Sequence, residues 1–202
     1  MDLSSGSAGV LALWAAIGYG LGSIPFGLIL AKAMNLGDLR KIGSGNIGAT
    51  NVMRTGNKLA AALTLLLDGG KGAVAVLIAL AYSGESAAQL AALAAFLGHC
   101  YPVWLSFKGG KGVATFLGLL LALHWPLGLA ACATWLVIAV VLRYSSLSAL
   151  TAAGLSPVLA AALGRGELVW LMVVLAVLIY WRHRANIARL RAGSETKIGQ
   201  KG

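Results

Sequence analysis

Seven apolar runs constrain this chain more than any other feature: about 8–33, 58–82, 87–105, 113–124, 126–142, 147–163 and 167–181. Hydrocarbon offers no water to a backbone N–H or C=O, so a segment that enters it satisfies its own polar groups as a helix. A crossing takes about 20 residues, within a range of roughly 17–25. The expected fold is therefore all-α, a polytopic integral membrane protein with about seven transmembrane helices in a single domain over 1–202. The fourth run is short and could join the fifth through Trp125-Pro126, which would leave six. Composition agrees, with 59 % apolar and only 11 % charged residues, where a soluble domain averages about 25 % charged. The first run has no basic flank before it, and apolar runs continue to residue 181. It therefore reads as a retained span rather than a signal peptide.

The formal net charge is +10, and its placement excludes one class of partner. Basic residues sit at the ends of apolar runs, not on a soluble, aromatic-studded domain, so nucleic acid is not an expected partner. With seven spans and the N-terminus outside, the inner segments are 34–57, 106–112, 143–146 and the tail 182–202. They hold Arg40, Lys41, Arg54, Lys108, Lys111, Arg143, Arg182, Arg184, Arg189, Arg191, Lys197 and Lys201, whereas the outer loops hold Arg165 with Glu85 and Glu167. That sorting follows the positive-inside rule and puts the C-terminus in the cytoplasm. Six spans would move Arg143 outside. Cys100 and Cys132 lie in apolar runs, with neither metal spacing nor a disulfide framework.

Every glycine-rich or polar cluster falls on the inner side under this topology, which points to one site facing the cytoplasm. The first cluster is GSGNIGATN, 43–51. Glycines let a ligand approach the main chain, while Ser44, Asn46, Thr50 and Asn51 offer polar side chains and Arg54 a phosphate-binding fork. The second, FKGGKGVAT at 107–115, is a Gly-rich turn feeding a helix start. Free N–H groups and the helix dipole suit an anion there, with Lys111 adding charge. It lacks the Walker spacing. A near-copy, LDGGKGAVA at 67–75, places Asp68 and Lys71 deep in the second span. Either the span breaks at Gly69-Gly70 beside a wet cavity, or Asp68 and Lys71 pair with each other for structure. The third cluster opens the tail: His183 and Asn186 share a face if the seventh helix continues, and Glu195 follows. His99 either supports the site or satisfies a helix end.

There is no GxSxG elbow, no acid five residues after any histidine, and no metal-ligand spacing. Anion cradles with few acid–base groups suit a substrate that is already activated and carries phosphate.

These residues carry a resemblance. GSGNIGATNVMR, the stretch from His99 through Pro102 to FKGGKGVAT, and HRANIARLRAGSE resemble the three cytoplasmic motifs of the bacterial acyl-phosphate:glycerol-3-phosphate acyltransferases, the PlsY type. The likeness runs through nearly the whole chain in order. It implies transfer of a fatty acyl group from acyl phosphate to the sn-1 hydroxyl of glycerol 3-phosphate, giving lysophosphatidic acid and phosphate, without cofactor or metal. It implies the bacterial inner membrane, lipid surroundings and, as a candidate partner, the enzyme that makes acyl phosphate. By motif position Ser44, Arg54, Lys111, His183 and Asn186 would be catalytic. Asn46, Thr50, Asn51, Lys108, Gly109, Gly110, Gly112, Arg143 and Ser146 would bind substrate. Glu195 would be structural, and Asp68 and Lys71, outside the three motifs, are read as structural on LDGGKGAVA alone. The competing class is a transporter of a phosphorylated solute, since interrupted helices with cations at depth also serve anion transport. A transporter needs a route to both sides, and the outer loops here are short and nearly featureless.

Overall fold

The structure, a computed structural model, describes residues 7–200. Those residues form helices and connecting turns without a strand. The chain divides into two compact units, the first ending at Trp125 and the second beginning at Pro126.

The first unit holds α1 (Ala8–Gly22), α2 (Phe26–Ala33), α3 (Ala49–Met53), α4 (Lys58–Cys100) and α5 (Val113–Leu123). Ser7 caps α1 by accepting from the Val10 N–H. The break before α2 falls at Pro25, which has no N–H to continue a helix. The long α4 doubles back on itself. The Lys71 ammonium lies 3.0 Å from Nδ1 of His99, although 28 residues of straight helix would separate them by about 42 Å. The reversal is at Gly84, with φ 77° and ψ −170°, a backbone conformation open to glycine and poor for other residues. The interruption between the second and third apolar runs, at Ser83-Gly84-Glu85, marks the place.

Small residues let these helices touch. The ideal Cβ position of Gly18 falls 3.0 Å from the Ala91 Cα, and that of Gly22 falls 2.6 Å from the Ala95 Cα. Trp14 Nε1 donates to Ser83 Oγ at 2.8 Å. Residue numbers rise together along this contact, so α1 runs parallel to the returning arm of α4. On the outgoing arm, Gly69 packs against Gly118 of α5, and Gly72 against Thr115 and Leu119. Lipid tails are as apolar as the side chains, so helix association in a membrane depends on this close packing more than on burial from water. Of the two readings of this segment, the break at Gly69-Gly70 is absent: the helix runs through both residues. The glycines instead admit α5, and Thr115 Oγ1 donates to the Asp68 carbonyl at 2.9 Å.

The second unit holds α6 (Trp125–Leu142) from its second residue on, α7 (Ser145–Ala162), α8 (Val169–Arg182) and α9 (Arg184–Arg191). The seventh run does not continue as one straight helix past its end. It bends by 64° between α8 and α9, so His183 sits at the corner and Asn186 one turn into the new helix.

By length and composition, four helices among the described residues can cross a membrane, or five with the bent pair counted as one. Two features separate that figure from the seven runs in the sequence. One of the four is the doubled-back segment ending at Leu105, and α5, with 11 residues, rises only about 16 Å.

Close packing of α1 on α4 makes a paired prediction. Gly22→Val should destabilise the protein by about 1–3 kcal/mol through overpacking. Gly20→Ala should be neutral or slightly stabilising, because nothing lies within 4 Å of its Cβ position. Thermal melts of both variants in one detergent check the contrast.

Candidate functional site

The first glycine-rich segment is a folded loop held from within. Leu39 and Val52, both fully buried, pack with Ala31, Ala60 and Ala61 of α2 and α4, so each flank of the loop is pinned by apolar contact. Between them Asn51 organises the turn. Its Nδ2 donates to the carbonyls of Leu39 (2.8 Å) and Asn46 (2.7 Å). Its Oδ1 accepts from the Ser44 N–H (3.2 Å) and from Arg54 Nη1 (3.4 Å). At 2 % exposure, Asn51 shapes the cradle and is not presented to a ligand, in contrast to the substrate-binding role expected for it. Gly43 and Gly45 take φ of 51° and 67°. A side chain at Gly43 would run into the Arg54 side chain, meeting its guanidinium Nη1 and, at 2.6 Å, its Cδ. Ser44 and Thr50 are exposed, and Asn46 and Arg54 are half-buried. The loop thus offers a serine and an arginine fixed on either side of one asparagine.

The second segment is stitched to the end of α4. The Gly109 N–H donates to the Cys100 carbonyl and the Gly110 N–H to the His99 carbonyl, each at 3.1 Å. Gly112, at φ 85°, turns the chain into α5 and lies against the Phe96 ring, where a Cβ would collide. Lys111 is half-buried and Lys108 exposed. The two loops meet within this unit: Arg40 Nη2 donates to the Lys108 carbonyl at 3.3 Å. The expectations gave Arg40 only as an inner charge. The proximity of a basic residue to each glycine cluster was the signal available in the sequence. Asp38 sets its position, accepting from the Arg40 N–H at 3.0 Å.

Asp68 and Lys71 lie beneath the second loop. Lys71 Nζ contacts Asp68 Oδ1 (2.8 Å), the Ile24 carbonyl (2.7 Å) and His99 Nδ1 (3.0 Å). The Phe26 ring centroid is 5.8 Å away. The pair is therefore not closed on itself, and His99 belongs with it.

In the second unit the third motif gathers on Glu195. Its carboxylate accepts from Ser146 Oγ (2.7 Å), Asn186 Nδ2 (2.6 Å) and Arg189 Nε (2.6 Å). The local chain explains how the tail returns. α9 ends with Gly193 at φ 68°, the Gly193 N–H bonding the Leu190 carbonyl and the Ser194 N–H the Arg189 carbonyl. This Schellman arrangement reverses the chain and delivers Glu195 to α9 and α7. Burial alone would raise the Glu195 pKa, but the three hydrogen bonds and the Arg189 charge outweigh it and hold the carboxyl below its ordinary value of 4.5. Ser146 and Asn186 are thus engaged with Glu195. Arg143, expected to bind substrate, donates from Nη2 to the Ile198 carbonyl at 3.0 Å. His183 is 3 % exposed, and its Nδ1 lies 2.8 Å from the Ile179 carbonyl. A carbonyl only accepts, so Nδ1 carries a proton, which in the neutral ring leaves the lone pair on Nε2. Among the described residues no group of three His, Cys, Asp or Glu could hold a metal ion.

Two predictions follow from this geometry. Gly43→Ala should cut any activity of the site by about tenfold or more, since a slight misplacement of Arg54 is enough; steady-state rates beside a far-ultraviolet spectrum check it. For Glu195 the depressed pKa means that tail docking is fully present above pH 4.5 and is lost as pH falls through the lower folded value. Amide exchange over 184–200 should accelerate in acid. Glu195→Gln should accelerate it at neutral pH and remove the acid step.

Comparisons with known proteins place the chain as a whole. Residues 12–193 match the family model described as glycerol-3-phosphate acyltransferase. A Ruegeria pomeroyi protein of that name is 69 % identical over 192 residues, covering 95 % of each chain. One from Jannaschia is 63 % identical over 194 residues, covering 96 % of each. The crystal structure of PlsY, described as an integral membrane glycerol 3-phosphate acyltransferase, superposes in its glycerol 3-phosphate form with a TM-score of 0.89 at 40 % identity, covering 94 % of this chain and 96 % of that one. The lysophosphatidic acid form gives 0.86 at 38 % identity, with 94 % and 95 % covered.

Proposed function

The chain belongs to the glycerol-3-phosphate acyltransferase family, and on that premise we propose that it transfers a fatty acyl group from acyl phosphate to the sn-1 hydroxyl of glycerol 3-phosphate. It does so as a multi-pass protein of the bacterial inner membrane, with its reacting groups facing the cytoplasm. The observation that carries the reading is the joining of the two glycine-rich loops through Arg40 and the Lys108 carbonyl. That bond ties the segment leading into the first loop, which carries Ser44 and Arg54, to the second loop, which carries Lys111; Ser44 is exposed and Arg54 and Lys111 are half-buried. Such a surface suits phosphate groups: N–H donors at a helix start, one point charge and one guanidinium fork.

The chemistry asks little more. The glycerol hydroxyl oxygen attacks the acyl carbonyl carbon, the carbon–oxygen bond to phosphate breaks, and the leaving phosphate departs as the good leaving group of a mixed anhydride. Fixing the hydroxyl in attack geometry can supply about 7–11 kcal/mol in well-oriented cases. Lys111, Arg54 and the N–H groups of the first turn of α5 hold the phosphates and offset charge on the leaving group. Ser44 and Asn46 orient the acyl phosphate. The third motif, His183 and Asn186, serves the acceptor hydroxyl. With Nδ1 protonated against the Ile179 carbonyl, the nitrogen this reading assigns to the hydroxyl is Nε2 of the neutral ring. The hydroxyl proton leaves either to that nitrogen or to a substrate phosphate oxygen, and His183→Gln separates the two. Retained turnover assigns the proton to phosphate. Fatty chains stay with the apolar helices, so the donor comes from the lipid phase or from the enzyme that makes acyl phosphate.

The test is direct. Purified protein given palmitoyl phosphate and glycerol 3-phosphate should release phosphate and lysophosphatidic acid in equal amounts. Ser44→Ala and Lys111→Ala variants that keep the wild-type melting temperature should lose about a hundredfold or more in kcat/KM, as removal of one preorganised donor does elsewhere. Phosphate release without lipid product would show hydrolysis instead. Uptake of labelled glycerol 3-phosphate into vesicles without acylation would mark a transporter.

A further inference from the structure

The second glycine-rich loop rests on a buried polar cluster to which no part of the reaction above is assigned. Lys71 is an ammonium with three hydrogens and no acceptor. It meets three acceptors from three places in the chain: the Ile24 carbonyl at the break between α1 and α2, Asp68 Oδ1 one turn back, and His99 Nδ1 on the returning arm of α4. All three side chains are buried, at 2–6 % exposure. Because the ammonium can only donate, His99 Nδ1 accepts, and the imidazole proton is on Nε2. The ring is thereby fixed in place and in tautomer. Its Nε2 edge faces the loop. The Cβ position of Gly110 falls 2.8 Å from His99 Cε1 and 3.1 Å from Cδ2, and still nearer to Nε2. The backbone of residue 99 also accepts from the Gly110 N–H. Thus one residue grips Gly110 from two sides, immediately before Lys111 and the start of α5.

We propose that His99, held by Lys71 and Asp68, is a positioning residue for glycerol 3-phosphate binding. It sets the height and orientation of the Gly109–Gly110 turn so that Lys111 and the α5 N-terminus meet the substrate phosphate. The proposal rests on the reading above that this loop holds phosphate. It assigns a reason to two features at once. Gly110 is glycine because the imidazole occupies the space of a side chain. The buried ammonium is retained because it fixes the imidazole, where an apolar residue would leave the ring free to turn.

The experiment uses the full chain in detergent, with glycerol 3-phosphate affinity read by calorimetry without donor and by KM with palmitoyl phosphate as donor. His99→Asn keeps an acceptor near the Nδ1 position for Lys71 but has no ring edge against Gly110. It should melt within about 2 °C of wild type, raise Kd and KM for glycerol 3-phosphate by about tenfold or more, and leave kcat within about threefold. Combined with Lys111→Ala, its effect should be less than additive, as expected for residues acting through one loop. Gly110→Ala supplies a second arm. It should weaken binding in the wild type and be partly suppressed in the His99→Asn background, where the colliding ring is gone. Wild-type Kd and KM in His99→Asn, or a Gly110→Ala penalty equal in both backgrounds, overturns the proposal. If Lys111→Ala binds glycerol 3-phosphate as wild type does, the phosphate-loop reading itself fails, whatever the His99 variants show.

Discussion

The first unit is arranged around one cation that cannot reach water. A lysine ammonium removed from water needs its charge compensated and its hydrogens accepted. Lys71 obtains both only if three distant segments converge on it: the kink after α1, the outgoing arm of α4 and the returning arm. That convergence requires α4 to reverse, and Gly84 supplies the backbone conformation that permits it. It also requires α1 to lie against the returning arm, which Gly18, Gly22 and Gly98 allow by having nothing to collide with Ala91, Ala95 and Ser23. Charge sets the meeting point and small residues make the meeting possible. Neither would suffice alone, because helices in lipid gain little from apolar contact as such.

The glycine-rich loops of the first unit and the tail of the second are shaped by different means. In the first unit the loops are shaped by side-chain amide and backbone bonds from neighbouring residues, with Asn51 bonding four partners on 39, 44, 46 and 54. In the second unit a single carboxylate does the equivalent work, collecting donors from α7 and α9 after a helix-terminal reversal. An asparagine is neutral and suits the floor of an anion cradle. A carboxylate suits a segment whose neighbours are arginines. Each organiser has the charge its surroundings can tolerate.

Much of this was legible in the sequence. Apolar runs located the helices to within a few residues, since a span must be apolar over its whole length. The polar clusters stood out against that background. What the sequence hid was the third dimension at short range. LDGGKGAVA left a broken span and an intact one with a structural Asp68–Lys71 pair both open, because two adjacent glycines weaken a helix; here their missing side chains make room for α5, and tertiary packing overrides propensity. His183 and Asn186 read as one face of one helix, while the chain bends between α8 and α9. Asn51 looked like a ligand-facing donor, yet it lies in the floor, because a loop this rich in glycine needs an internal partner for its backbone groups. His99 could be placed only once the reversal at Gly84 brought residues 28 apart into contact.

The Schellman turn at Gly193 has a practical side. Ser146 in α7 and Asn186 and Arg189 in α9 all donate to a residue only two positions beyond that glycine. The stretch around Glu195 is therefore bonded into the second unit, even though the residues on either side of it are exposed. Shortening the chain to remove it would strip the shared acceptor from three donors at once. For anyone engineering this protein, affinity tags and fusions belong after the segment, and the segment itself belongs to the folded domain.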